Sequence, residues 1–202
     1  ASQAMNRILI DLPQVIETPR LTLHMPCAGF GEKIHQAIID GYDDNIKWLN
    51  WPTTHPTIET VEEDTRRHQA EFILRDNIRY IIVNKADDSV IGRCGFPGIQ
   101  TNWLIPQFGI SYFIRKNSRS AGFASEAALA TAKLAFSILK AKKVEIHCDA
   151  ENIASTRVPL KIGFKLEYTQ RGGWPRSDGI LAQMQTYSAF SADALSDLEV
   201  IW

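Results

Sequence analysis

The chain has 202 residues, 45% hydrophobic and 22% charged, a length and composition typical of one globular α/β domain. Its 22 basic and 23 acidic residues nearly cancel, which argues against a general affinity for nucleic acid or an anionic membrane. No apolar run approaches the ~18 residues of a membrane span. Cys27, Cys94 and Cys148 have the spacing of neither a metal site nor a disulfide framework, so we expect a reducing cytoplasm and no metal.

The first half of the chain is predicted to alternate strands and helices. Ala1 to Ala4 are interpreted as a cloning remnant. Thr60 to Glu63 fits a capping box, which predicts the start of a helix. Apolar periodicity predicts, in chain order, a strand over 20–25, a helix over 30–38, a helix over 58–75 and a hairpin of strands 79–85 and 90–96.

Residues 42 to 56 are unusual because two tryptophans and two prolines interrupt them. The prolines predict a loop or a broken helix. Trp48 and Trp51 have two interpretations: they fill a gap between helices, or they form a wall of a ligand pocket, since tryptophan offers apolar area and one donor.

The segment from Gln107 to Glu126 organises the second half of the chain. An alternating strand leads into small and basic residues, and an alanine-rich helix begins at Phe123. Free amides at a helix start attract a phosphate group, and Gly122 permits close approach of a ligand. The segment therefore predicts a pyrophosphate cradle, with an ordinary βα turn as the alternative.

The remaining elements complete a mixed sheet. The helix is expected to run to residue 141, and the strands on either side of it should be parallel with a right-handed crossover. Pro159 is expected to be tolerated because it lies close to the start of its helix. The predicted elements are a strand over 142–149, a helix over 154–162, a strand over 164–171, a loop over 172–179 and a last, antiparallel strand over 181–190, with 191–202 unassigned.

Three segments resemble the GNAT superfamily of N-acetyltransferases. Arg119 to Ala124 fits its Q/R-x-x-G-x-G/A signature. Residues 152 to 164 are similar to the N-x-x-S-x-x-V-x-x-K-x-G-F run of the ribosomal-protein N-terminal acetyltransferase branch, and residues 17 to 23 resemble its first strand. The resemblance implies one domain over 1–202 with a core over about 16–190.

The resemblance also implies a fold and a cofactor. The expected α+β fold has a mixed, mostly antiparallel sheet of about seven strands, one parallel pair splayed for the cofactor, and about four helices on both faces. The implied cofactor is acetyl-coenzyme A. The residues expected to hold it are Tyr112, Phe113, Ile114, Arg119, Ser120, Ala121, Gly122, Phe123, Ala124 and Asn152.

Catalysis requires a donor for the developing oxyanion and a proton for the leaving sulfur. The resemblance implies that a backbone amide near Tyr112 to Ile114 donates to the oxyanion. The short helix has no tyrosine, so Ser155, with Asn152 beside it, is the implied acid; a helix cap is the alternative for Ser155. No spacing specifies a base, although His147 lies near a strand end.

These features predict an enzyme that acetylates a primary amine, either a protein N-terminus or a small amine, by direct attack in a ternary complex. Trp48, Trp51 and Trp174 are the expected acceptor-binding residues. The alternative is an inactive acyl-coenzyme A sensor, favoured by the absent tyrosine and by Pro159. Neither nucleic acid nor membrane is an expected partner, and the expected state is a monomer or homodimer.

Overall fold

The structure, a computed structural model, describes residues 5–202 except the side chain of Pro175. The interpretation of Ala1 to Ala4 falls outside the described residues. The helices are α1 Gly31–Ile39, α2 Tyr42–Leu49, α3 Ile58–Leu74, α4 Phe123–Ser137 and α5 Ile153–Lys161. The strands are β1 Val15–Glu17, β2 Leu21–His24, β3 Ile78–Asn84, β4 Ser89–Phe96, β5 Thr101–Asn102, β6 Gln107–Gly109, β7 Ser111–Ile114, β8 Lys143–Asp149, β9 Lys165–Pro175 and β10 Leu181–Ala189.

The ten strands form two five-stranded sheets, in the orders β1-β2-β3-β4-β7 and β5-β6-β8-β10-β9. The pairings are antiparallel except that of β6 with β8, which is parallel as predicted. The mixed α+β class is therefore confirmed. The expectation of one sheet of about seven strands is wrong, because the predicted central strand is interrupted at Ile110 and its halves join different sheets.

Helices cover the first sheet on both faces. Ile34 of α1 and Val61 of α3 pack on one face, with Ile81 and Val83 of β3. On the other face, the buried alanines of α4 pack in the larger core, and Thr131 donates to Cys94 at 3.4 Å. Alternate residues of the same strands therefore serve two cores. Within residues 5–202 no helix is both long and apolar enough to cross a bilayer.

Several element boundaries differ from the predictions. Residues 5–202 form five α-helices rather than about four, because residues 42 to 49 make a short helix before the proline-rich loop. The capping box at Thr60 is wrong: Thr57 is the N-cap of α3, and its hydroxyl accepts from the Thr60 amide at 3.1 Å. Strand β9 continues to Pro175, so the loop predicted over 172–179 begins later.

The C-terminal segment, which no pattern assigned, returns to the first strand. The Glu17 amide donates to the Ile201 carbonyl at 2.8 Å, and the Ile201 amide donates to the Glu17 carbonyl at 3.0 Å. This two-bond bridge places the end of the chain beside the outer edge of β1.

Candidate active site

The parallel strands β6 and β8 separate shortly after they meet. Their pairing joins residues 107–109 to 143–145 and ends with a 2.8 Å bond from the Ile110 amide to the Glu145 carbonyl. Beyond Ile110 the chain continues as β7, which pairs with β4 instead. A gap therefore opens between β7 and β8.

Backbone groups of β7 face this gap. In an antiparallel ladder, hydrogen-bonded pairs alternate with non-bonded pairs. The Arg115 amide donates to the Ile91 carbonyl at 2.7 Å, which makes these two residues a bonded pair. Phe113, two residues earlier, is therefore also bonded to β4, whereas the amides of Tyr112 and Ile114 point into the gap. They can pair with an amide-bearing ligand or stabilise a developing oxyanion.

Asn152 and Ser155 lie beside the gap at the start of α5. Asn152 is the N-cap, and its Oδ1 accepts from the Ser155 amide at 3.2 Å. The helix-cap alternative for Ser155 is therefore wrong, and its hydroxyl is available for other contacts.

Two buried groups hold the Ser155 hydroxyl. Tyr112 Oη lies 3.2 Å from Ser155 Oγ, and Cys148 Sγ lies 3.3 Å from it. Burial raises the pKa of the Tyr112 phenol well above its ordinary value and raises the pKa of the Cys148 thiol to about 11. Both groups keep their protons at neutral pH. A phenol thus stands beside Ser155 although α5 contains no tyrosine.

The loop before α4 has the geometry of an anion cradle. Ser120 and Gly122 adopt left-handed conformations, with φ of +64° and +83°. Gly122 is the N-cap of α4 and offers no side chain. The first intrahelical bond runs from the Glu126 amide to the Gly122 carbonyl at 3.1 Å, so the amides of residues 123–125 have no helical acceptor.

Two cations that the sequence prediction missed face Gly122. A Cβ built on Gly122 would lie 3.3 Å from Lys161 Nζ and 3.4 Å from an Arg20 nitrogen. Glu126 holds Arg20 through a 2.6 Å ion pair, and Arg20 also donates to the Ala121 carbonyl at 2.8 Å. Both cations stand in segments that carry the family resemblance, a signal that could have identified them. The pair suits a phosphate at the start of α4.

The basic side chains of the loop itself are paired elsewhere. Arg115 lies 3.1 Å from Asp40, while Lys116 and Arg119 lie 3.1 Å and 3.2 Å from Asp44. The prediction that Arg119 contacts the cofactor stays a prediction, since its guanidinium is paired with Asp44 in this structure. The ion pairs of these basic side chains fasten the loop to the end of α1 and to α2.

The other predicted cofactor residues differ in how they can contribute. Phe113 and Ile114 have buried side chains; the Ile114 amide points into the gap, whereas the Phe113 backbone is bonded to β4. Ser120 and Ala121 are exposed, whereas Phe123 and Ala124 are half-buried in the first turn of α4.

A half-open cavity of about 340 Å³ lies where the gap meets α2 and the β9–β10 hairpin. Among the described residues, no Asp, Glu, Lys or Arg side chain lines it. Its lining residues are Trp48, Leu49, Ile99, Gln100, Ile110, Ser111, Tyr112, Ile146, His147, Asn152, Ser155, Tyr168, Gln170, Gly173, Trp174, Met184 and Thr186. An uncharged, aromatic-walled cavity therefore adjoins the Ser155 hydroxyl.

Trp48 and Trp174 line this cavity, but Trp51 does not. Trp51 packs edge-to-face on Phe113, with ring centroids 5.4 Å apart, and lies 5.2 Å from the Tyr42 ring. Asn50, with φ of +51°, ends α2 between the two tryptophans and redirects the chain. The gap-filling interpretation therefore describes Trp51.

Arg176, which sequence reasoning missed, fixes the wall that contains Trp48. Its buried guanidinium lies 2.7 Å from both Glu151 and Asp178 and 3.6 Å from Asp149. The same group lies 5.3 Å from the centre of the Trp48 ring. Arg176 thus joins the β9–β10 loop to the end of β8 and to α2.

His147 is the imidazole in the cavity wall. Its Nδ1 lies 2.9 Å from Thr186 Oγ1 and its Nε2 lies 3.5 Å from Glu145 Oε2. The hydrogen bond with His147, followed by the hydrogen bond and the positive charge of Lys143, lowers the pKa of the Glu145 carboxyl to about 2. An ionised carboxylate therefore stands behind the imidazole throughout the neutral range.

A profile of the acetyltransferase (GNAT) domain matches residues 20–165, well over half of the chain. The chain belongs to the GNAT acetyltransferase family. It is therefore an acyltransferase of the family that uses acetyl-coenzyme A. Among proteins with curated descriptions, none matches this GNAT chain.

Solved GNAT structures share the fold at low sequence identity. A ribosomal L7/L12 α-N-protein acetyltransferase, RimL, in complex with coenzyme A has a TM-score of 0.80 at 16% identity, covering 88% of this chain and 98% of its own. A ribosomal-protein-S5-alanine acetyltransferase from Vibrio fischeri has a TM-score of 0.79 at 14% identity, covering 91% and 99%. A GNAT-family acetyltransferase from Bacillus anthracis has a TM-score of 0.72 at 21% identity, covering 87% and 98%.

The site fits the cofactor of the GNAT family. Free amides at α4, with Arg20 and Lys161 beside Gly122, suit a pyrophosphate. The open edge of β7 suits the amides of a pantetheine arm, and it leads to Ser155.

Proposed function

We propose that this enzyme acetylates the α-amino group of a peptide or protein N-terminus. The observation that carries the proposal is the uncharged lining of the cavity beside Ser155. A cavity without carboxylates gives an ammonium group no partner, and its apolar walls favour the neutral amine.

The charge state of the acceptor supports an α-amine over a lysine. With ordinary pKa values of about 7.7–8.0 and 10.4, roughly a third of α-amines but only about 0.1% of lysine amines are neutral at pH 7.5. A site that takes the amine already neutral therefore discriminates by several hundredfold. Trp174 and Tyr168, which are partly exposed at the cavity mouth, offer surfaces on which an extended peptide packs.

Each residue of the proposed site has a distinct task. Free amides of α4, Arg20 and Lys161 would hold the pyrophosphate, and Gly122 would admit it. Acetyl-coenzyme A supplies an activated acetyl group on a thiol that is a good leaving group. The amides of Tyr112 and Ile114 would stabilise negative charge on the acetyl oxygen, and the Ser155 hydroxyl would donate to the departing sulfur.

The experiment is a pair of matched peptides at pH 7.5: one with a free N-terminus and no lysine, the other N-terminally blocked with one lysine. We expect kcat/KM for the first to exceed that for the second by about 10²-fold or more. Equal rates, or a preference for lysine, would contradict the proposal.

His147 is proposed to take the proton that the attacking amine loses. A neutral imidazole can accept the proton, and the ionised Glu145 beside it stabilises the imidazolium that forms. Glu145→Gln removes that carboxylate, so kcat should fall about tenfold. The measurement is kcat for one α-amine peptide at about pH 8.5, where most of the peptide amine is neutral.

Glu167→Gln is the matched control, because Glu167 also pairs with Lys143, at 2.8 Å, but does not contact His147. It should leave kcat unchanged. A His147→Gln enzyme with the wild-type kcat would rule out this role.

A further inference from the structure

Pro159 occupies the seventh position of the nine-residue helix α5. The prediction that it is tolerated near the helix start is therefore wrong, since it lies beyond the first turn. Proline has no amide hydrogen, so the carbonyl four residues earlier loses its helical donor. That carbonyl belongs to Ser155.

Two side chains from neighbouring strands take the place of the missing donor. The Tyr112 hydroxyl donates to the Ser155 carbonyl at 3.3 Å, and the Cys148 thiol donates to it at 3.5 Å. The same two groups also reach the Ser155 hydroxyl. Helix α5 is thus joined to β7 and β8 through a carbonyl that an ordinary helix would satisfy internally.

The donors and acceptors in this cluster can be counted. Tyr112 and Cys148 each carry one proton, and Ser155 offers two acceptors, its carbonyl and its hydroxyl oxygen. When the Tyr112 proton and the Cys148 proton each bond to one of these acceptors, the Ser155 hydroxyl proton makes no hydrogen bond within the cluster. It remains available to an acceptor on the cavity side, where Ser155 and Tyr112 form part of the wall.

We propose that Tyr112 is a positioning residue for Ser155, and that Pro159 makes this possible by leaving the Ser155 carbonyl free to hold the phenol. This inference rests on the proposed function. In acetyl transfer the C–S bond breaks, a C–N bond forms, the nitrogen loses one proton and the sulfur gains one, so no further reactant is required. Pro159, which could be taken as a sign of an inactive relative, is instead part of the site.

The test compares Tyr112→Phe, Pro159→Ala and the double variant. Tyr112→Phe should lower kcat about tenfold or more while the acetyl-coenzyme A affinity stays within about twofold, because the backbone amide of residue 112 is retained. Pro159→Ala supplies an amide that competes for the Ser155 carbonyl, so kcat should fall while the helix is not weakened. The double variant should be no slower than Tyr112→Phe alone, since both changes disrupt one contact.

Tyr80→Phe is the matched control, because the buried Tyr80 hydroxyl donates to the Pro13 carbonyl at 2.8 Å and neither residue lines the cavity. It should lower the melting temperature without changing kcat. Wild-type kcat in Tyr112→Phe, or additive losses in the double variant, would overturn the inference.

A second measurement requires no amine substrate. Hydrogen exchange of the amide at residue 159 in Pro159→Ala should be slow, because the new amide bonds to the Ser155 carbonyl. The change in melting temperature of the double variant should differ from the sum of the changes in the two single variants. Fast exchange with additive shifts would overturn the inference. If the wild-type enzyme acetylates no α-amine but the effects of Tyr112→Phe and Pro159→Ala are still non-additive, only the proposed function would be contradicted.

Discussion

Gly122→Val is expected to raise the acetyl-coenzyme A dissociation constant about thirtyfold or more, a loss of ~2 kcal/mol. The side chain would project toward Arg20 and Lys161, into the space where a pyrophosphate would meet the first amides of α4. That space is the cradle, and filling it removes charge-assisted hydrogen bonds. Calorimetric titration with acetyl-coenzyme A is the measurement.

The backbone of Gly122 complicates this substitution, since φ of +83° strains any residue with a Cβ. Gly29→Val controls for the strain, because Gly29 has φ of +96° and open space around a built Cβ. Both variants should melt at lower temperature, by a free-energy cost of roughly 1–2 kcal/mol. Only Gly122→Val should lose affinity for acetyl-coenzyme A. Equal affinity in the two variants would show that this loop does not hold the pyrophosphate.

Ser155→Ala is expected to lower kcat about 10²-fold with little change in acetyl-coenzyme A affinity. The hydroxyl is the proposed donor to the departing sulfur, and Tyr112 and Cys148 hold it at 3.2 Å and 3.3 Å. Because Asn152 caps α5, the helix should survive the substitution. Steady-state kinetics with an α-amine peptide, together with thermal melting, check both statements.

Thr156→Ala is the matched control for Ser155→Ala. It removes a neighbouring hydroxyl that donates to the Ile153 carbonyl at 3.0 Å on the exposed side of the helix. Its kcat should equal that of the wild type. A Ser155→Ala enzyme that melts early but turns over normally would show that Ser155 serves the fold rather than the reaction.

Local patterns predicted the parts of the site that are local in sequence. Gly122 follows from a strand, small residues and a helix start, whereas Asn152 and Ser155 follow from the family resemblance of residues 152 to 164. The parallel pairing of β6 and β8 followed from a single βαβ unit. These features depend on backbone geometry within about forty residues, which periodicity and turn chemistry describe.

Features that join distant segments escaped prediction. Arg20 reaches Gly122 from the start of β2, and Arg176 reaches Trp48 from beyond β9. Trp48 and Trp51 look equivalent in the sequence, yet the left-handed Asn50 between them sends one to the cavity and the other to the core. Side-chain direction after a helix end depends on tertiary packing, which no local pattern contains.

The bridge between Glu17 and Ile201 covers one of the two edges of the first sheet. The outer strands of the first sheet are β1 and β7. At β1 the chain's own tail takes up backbone groups that would otherwise recruit a foreign strand. At β7, Tyr112 and Ile114 stay open toward the gap. A ligand whose amides paired there would act as a guest strand, which would be β-augmentation at an edge of this sheet that residues 5–202 leave open.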